Sequence, residues 1–196
     1  MIKRAFKEVG KNVTIFEPVT IIKPSSIHLK SNIIISEYSY LAGGLGLCVG
    51  NFVHISSQSI ISGGGYCILE DFVGLSAGVR IITGSEDING KGLTNPTIPE
   101  EFRSYYRSFV HCEKHSFLGT NVIIHPNVTV GEGTVVGSGS IVTKDLDPWS
   151  IYMGIPARKI KDRPQKIIIE KERKLLKKYS ISNSNFYDIK IKFNKE

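Results

Sequence analysis

The sequence predicts an all-β chain wound as a parallel β-helix, and two observations predict it. From Leu118 to Val142 a six-residue unit repeats, with Leu118, Ile124, Val130, Val136 and Val142 in one phase. Val122, Val128, Thr134 and Ser140 hold a small or β-branched position four residues after the first four of these. A strand alternates with a period of about two and a helix repeats near 3.6, so a period of six is neither. It fits a coil in which each turn is three short strands and each strand supplies one inward aliphatic residue. The same unit also recurs upstream. Val9–Thr14 runs into Ile15–Thr20 and Ile21, Leu29–Ile34 runs into Ile35–Tyr40, and Val49–Ile55 superimposes on Leu69–Leu75. Coil-like sequence therefore covers most of residues 9–160.

The interruptions come next in order. Gly43-Gly44-Leu45-Gly46 and Gly63-Gly64-Gly65 predict tight corners with positive φ. The stretch 83–110 carries five Gly or Pro residues among charged and aromatic ones, so it predicts an irregular loop thrown off the coil. After Val142 the coil closes, because Pro148 and Pro156 do not fit a paired central strand. Gln165–Tyr179 reads as a helix with Ile168, Leu175, Leu176 and Tyr179 near one face. The expected organisation is a β-helix domain over 1–164, with the insertion at about 83–110, and a C-terminal helix and tail over 165–196.

Composition narrows the class further. A chain of 196 residues with 41% hydrophobic and 22% charged residues suits one soluble domain with its own core. No apolar run reaches the length of a membrane span, and MIKRAFKEVG has no apolar leader core, so the expected location is cytoplasmic. Cys48, Cys67 and Cys112 are odd in number and widely spaced, against both a disulfide framework and a zinc cage. The net charge of +7 is concentrated over 158–178 rather than on the coils, which speaks against nucleic acid and suits a phosphate-bearing small ligand.

The coils, the segment Gly137-Ser138-Gly139-Ser140-Ile141-Val142-Thr143-Lys144-Asp145 and the closing Gly154-Ile155-Pro156-Ala157-Arg158 together resemble the hexapeptide-repeat acyltransferases. The nearest flavour is the sugar O- and N-acetyltransferases of bacterial surface-polysaccharide (O-antigen, lipopolysaccharide or capsule) synthesis. The resemblance implies a left-handed coil and a homotrimer with acetyl-CoA in a groove between adjacent chains. It implies coenzyme contacts at Gly119, Ser138, Gly139, Thr143, Lys144, Ala157, Arg158 and Lys159, with backbone groups meeting the pantetheine amides and basic side chains the phosphates. No metal is expected.

In many O-acetyltransferases of this fold a TGSHD-like loop carries a histidine base. Thr83-Gly84-Ser85-Glu86-Asp87 matches that loop with Glu86 in the histidine's place. A hydroxyl acceptor needs a base as it attacks, whereas a neutral amine is already nucleophilic. The expected reaction is therefore acetyl transfer to the amino group of a nucleotide-linked aminodeoxyhexose, with O-acetylation of a sugar hydroxyl as the alternative. Glu86, Asp87 and His54 are the catalytic candidates, and Asn95, Arg103 and Tyr105 on the loop are the acceptor-binding ones. His115 and His125 are expected to face solvent or a trimer seam, and His111 to be structural or solvated. Two remoter readings stay open: a zinc enzyme of the γ-carbonic-anhydrase type using histidines such as His111 and His115, and an inactive trimeric scaffold.

Overall fold

The computed structural model describes residues 5–184. Three parallel sheets form the faces of a prism, and the chain visits them in turn. The first face holds β1 (Glu8–Val9), β4 (Ile27–Leu29), β7 (Gly46–Val49), β10 (Tyr66–Leu69), β15 (Phe109–Cys112) and β18 (Val128–Val130). The second holds β2 (Val13–Ile15), β5 (Ile33–Ile35), β8 (His54–Ile55), β11 (Gly74–Leu75), β16 (Phe117–Leu118), β19 (Val135–Val136), β21 (Ser150–Gly154) and β22 (Ala157–Asp162). The third holds β3 (Thr20–Ile22), β6 (Tyr40–Ala42), β9 (Ile60–Ser62), β12 (Arg80–Ile82), β17 (Ile123–Ile124) and β20 (Ile141–Val142). The result is a left-handed β-helix of about seven turns, closed by the antiparallel pairing of β21 with β22.

Strands this short make few hydrogen bonds, so the coil is held by what they bury. Ile35, Val49, Ile61, Leu75, Leu118 and Val136 are each at most 1% exposed, and every one sits in the inward phase read from the sequence. Burying a side chain of this size contributes about 1.5–3 kcal/mol. The period is not uniformly six, however. Leu47 pairs with Ile27, twenty residues earlier, whereas Val128 pairs with Val110, eighteen earlier. In the first three turns the two surplus residues fall at one corner, where the third face passes to the first. They form the 3-10 turn Pro24–Ser26 and the glycine runs at 43–44 and 63–65. The glycine expectation holds, with φ of 50°, 97° and 75° at Gly44, Gly63 and Gly64.

The corner between the first and second faces is built differently. Asn12, Asn32, Phe52, Phe72, His115, Gly133 and Trp149 all take left-handed backbone there, with φ between 50° and 68°. Bulky residues rarely do so, and here stacking offsets the strain. Phe52 and Phe72 lie 5.2 Å apart at 2°, and the His115 ring stacks 4.8 Å from Phe72. His115 is therefore buried, not turned to solvent or to a seam as the sequence suggested.

Helix α1 (Lys166–Tyr179) docks along this ladder. Tyr179 meets Phe52 edge-on, while Glu172 accepts from Lys114 Nζ and lies 2.7 Å from His115 Nε2. Beyond it, Ser184 N–H donates to Asp71 at 2.7 Å. The expected tail beyond Ser184 lies outside the described residues. Burial pushes the Glu172 carboxyl up, but hydrogen bonds from Lys114 and His115 outweigh it and leave the carboxyl below its usual range.

A carboxylate depressed by folding stabilises above its unfolded pKa, and that stabilisation is lost as pH falls through the folded value. Acidification below about pH 4 should release the helix, and the single tryptophan, Trp149, lies 6.1 Å from His115 to report it. Glu172→Gln should show the released emission already at neutral pH. Indistinguishable emission from the two proteins across that range would refute the latch.

Candidate functional site

The insertion leaves the coil at Thr83 and returns at Ser108, at the corner that carries the surplus residues. Thr83 Oγ1 donates to Ser62 O and accepts from Gly65 N, and Ser108 N donates to Thr83 O at 2.7 Å. The sequence predicts an irregular loop, but its stem is an antiparallel ribbon of β13 (Gly84–Glu86) and β14 (Tyr105–Arg107). This ribbon rests on the triple glycine. A Cβ on Gly65 would lie 2.0 Å from Ser108 O, and one on Gly64 would lie 2.8 Å from Arg107 Nε. The glycine run is thus the seat of the loop as well as a tight corner.

Pairing of Glu86 with Tyr105 across the ribbon fixes the chemistry of the stem. Arg103 Nη2 donates to Glu86 Oε1, and the Tyr105 ring lies 5.1 Å from the Arg103 guanidinium and 4.6 Å from that of Arg107. Tyr105 Oη donates to Glu100 at 2.5 Å, and that bond raises the phenol's pKa. Both Glu86 Oε2 and Arg103 Nε are buried without a hydrogen-bond partner among the described residues. Asp87 accepts from Asn89 N–H at 2.7 Å, and its other oxygen lies 3.7 Å from Lys91 Nζ.

An open cleft of about 420 Å³ lies beside the stem, lined by Ser85, Glu86, Asp87 and Tyr106 on the loop and by Ile82, His125 and Pro126 on the coil. Glu86 and Asp87 both line it. His54 is not among the lining residues. It points outward on the second face, with Nε2 3.2 Å from Ser36 Oγ. Asn95 spends its Oδ1 on Thr97 N and Oγ1 at an exposed turn. His125, which the sequence placed towards solvent or a seam, is exposed and forms a wall of the open cleft. It directly follows the inward Ile124 at the corner where the insertion departs, and counting turns from the insertion would have found it.

The coenzyme candidates divide between two corners. Gly119, Ser138 and Gly139 lie where the second face passes to the third, next to the Gly154–Ala157 turn, whose Gly154 N donates to Ser140 Oγ at 3.0 Å. Thr143 and Lys144 are exposed at the cleft's own corner, across the width of the third face. The N–H groups of Gly119 and Gly139 are spent on Val136 O and Thr120 O, so they are not donors for pantetheine amides. Ser138 and Gly139 are exposed, and a Cβ built on Gly139 meets nothing within 4 Å. Ala157 is buried, Arg158 Nη1 donates to its own neighbour's carbonyl, and Lys159 pairs with Asp162 at 2.7 Å. Ser138 and Lys144, on either side of the third face, stay exposed.

Other reactive groups are committed elsewhere. His111 lies 2.8 Å from Glu70 and His115 binds Glu172, so each of this pair serves a carboxylate. Burial pushes the Cys48 and Cys112 thiols up to about 12, which makes them inert rather than nucleophilic.

Residues 109–144 match the family described as bacterial transferase hexapeptide (six repeats). The chain is 30% identical to dTDP-4-amino-4,6-dideoxy-D-glucose acyltransferase of Escherichia coli, over 83% of this chain and 85% of that protein. It is 25% identical to galactoside O-acetyltransferase of the same species, over 83% of this chain and 66% of that one. Its fold superimposes on AntD, an N-acyltransferase from Bacillus cereus solved with dTDP and 3-hydroxybutyryl-CoA, with a TM-score of 0.85. The two are 35% identical, and the match covers 92% of this chain and 95% of that one. A variant of AntD solved with dTDP-4-amino-4,6-dideoxyglucose and coenzyme A gives 0.84. Coil, loop and relatives agree, and the chain belongs to the hexapeptide-repeat acyltransferases.

Proposed function

We propose that this enzyme transfers an acyl group from acyl-CoA to the amino group of a nucleotide-linked aminodeoxyhexose, working as a cytoplasmic homotrimer in surface-polysaccharide synthesis. The observation that carries the reading is the state of Glu86. Where relatives with a TGSHD-like loop have a histidine, this chain has a carboxylate already neutralised by Arg103, with Glu86 Oε2 and Arg103 Nε left buried and unpartnered. An orphaned buried polar atom costs about 1–3 kcal/mol, and a ligand that supplies the missing partners recovers it. An amino group entering the cleft is a natural partner for the Glu86 carboxylate that lines it. A carboxylate held in that way is placed to orient an amine. The aminosugar-nucleotide relatives support the same choice of acceptor. The 3-hydroxybutyryl ligand of AntD widens the donor from acetyl-CoA to acyl-CoA. O-acylation of a sugar hydroxyl is the second reading, favoured by the imidazole of His125 in the same cleft.

Thiol release from acetyl-CoA and 3-hydroxybutyryl-CoA, measured against dTDP-linked amino sugars and their hydroxyl counterparts, tests the proposal. Turnover is expected with the amine, and turnover with the hydroxyl alone would overturn it. Removing one partner of the stem pair should also be worse than removing both. Arg103→Met strands Glu86, and a double-mutant cycle with Glu86→Gln should give a coupling on the order of 1–3 kcal/mol in thermal unfolding; zero coupling would dissolve the pair. Lys144→Ala should raise KM for acyl-CoA with kcat kept, and an unchanged KM would remove Lys144 from the coenzyme's path.

A further inference from the structure

The cleft holds three titratable side chains from the loop, Glu86, Asp87 and Tyr106, and one from the coil, His125. Each carboxylate already has a partner on the loop. Glu86 is tied to Arg103, and Asp87 accepts the Asn89 amide and faces Lys91. The His125 ring makes no hydrogen bond or ion pair with any described residue, although it lines the same space. Its position is held from both sides. His125 N donates to Val142 O at 2.9 Å, Asn127 N donates to Phe109 O at 2.8 Å, and Pro126 stiffens the link between them. The imidazole therefore stands on the rigid coil, with both nitrogens available, in a cleft whose carboxylates each already have a partner on the loop.

We propose that His125 is the catalytic base that takes the proton from the acceptor's ammonium group. The inference rests on the amine reading of the same cleft. The sugar arrives as R–NH3+, which has no lone pair for attack. His125 removes one proton, the amine nitrogen then bonds to the thioester carbonyl carbon, and a tetrahedral intermediate forms. Collapse breaks the carbon–sulfur bond, and the second nitrogen proton passes to the departing thiolate. The products are the amide, CoA–SH and one proton on His125, which solvent removes through the open cleft. Imidazole is the side chain suited to this exchange near neutral pH. Glu86 and Asp87 face the base across the cleft, Tyr106 lines it, and Lys144 stands at the same corner one turn on.

The test uses the full-length enzyme with an amino-sugar nucleotide and acyl-CoA. His125→Gln should lower kcat by roughly 10²-fold at pH 7, leave KM for acyl-CoA unchanged and flatten the acidic limb of the pH–rate profile. His125→Ala should regain rate on addition of free imidazole. Wild-type kcat in His125→Gln, a loss confined to KM for acyl-CoA, or a rate loss with an unaltered pH limb and no imidazole rescue would each overturn the assignment. Failure of the amine reading looks different: the wild-type enzyme itself would then ignore every amine.

Discussion

Everything in this molecule depends on stacking turns in constant register over a column of aliphatic side chains. Each strand of two to six residues is too short to stand alone, and its inward residue finds cover only if the next turn presents its own at the same place. Ile55 over Ile35 and Leu75 over Ile55 are instances, each fully buried and each paired in register. Surplus chain therefore has nowhere to go but outward, at a corner. Forty-three residues separate Tyr66 from its partner Phe109, yet β10 and β15 pair without a slip. The insertion that carries the cleft is possible because the coil on either side of it does not notice.

The two long corners serve different ends. One carries left-handed Phe52, Phe72 and His115 stacked face to face, which fills the outside of the corner with apolar surface and calls for a cover. The basic helix supplies it, through Tyr179 and through Glu172, whose carboxylate serves Lys114 and His115 together. The basic amphipathic helix is thus a structural strap as well as a charged surface. The other corner carries glycine, because the ribbon Gly84–Glu86 and Tyr105–Arg107 crosses it at backbone contact.

Within the cleft, proximity to Arg103 changes what Glu86 can do. A carboxylate held against a guanidinium is fixed in place and orients a partner. On the proposed reading, binding and proton transfer fall to different side chains: the loop's carboxylates meet the acceptor, and the coil's imidazole takes its proton. That division suits a site in which the loop sets the acceptor and the scaffold sets the chemistry.

The coil was legible in the sequence because inward burial imposes a periodicity that survives any choice of outward residue. Leu118, Ile124, Val130, Val136 and Val142 announce it, and the glycine runs and the TGSED loop announce where it is interrupted. The bond between Glu86 and Arg103, the ribbon beneath it and the burial of His115 were not legible, because outward side chains obey no period and their partners lie turns or loops away. His54 and His125 look alike in sequence, each following one coil's apolar run. Their places in the coil separate them, since β8 belongs to the second face and His125 directly follows β17 at the corner where the insertion opens. Sequence by itself determined the coil, its breaks and the acyltransferase segments. Which side chains converge was decided by how many residues each turn spends before it closes, a quantity set by packing between turns.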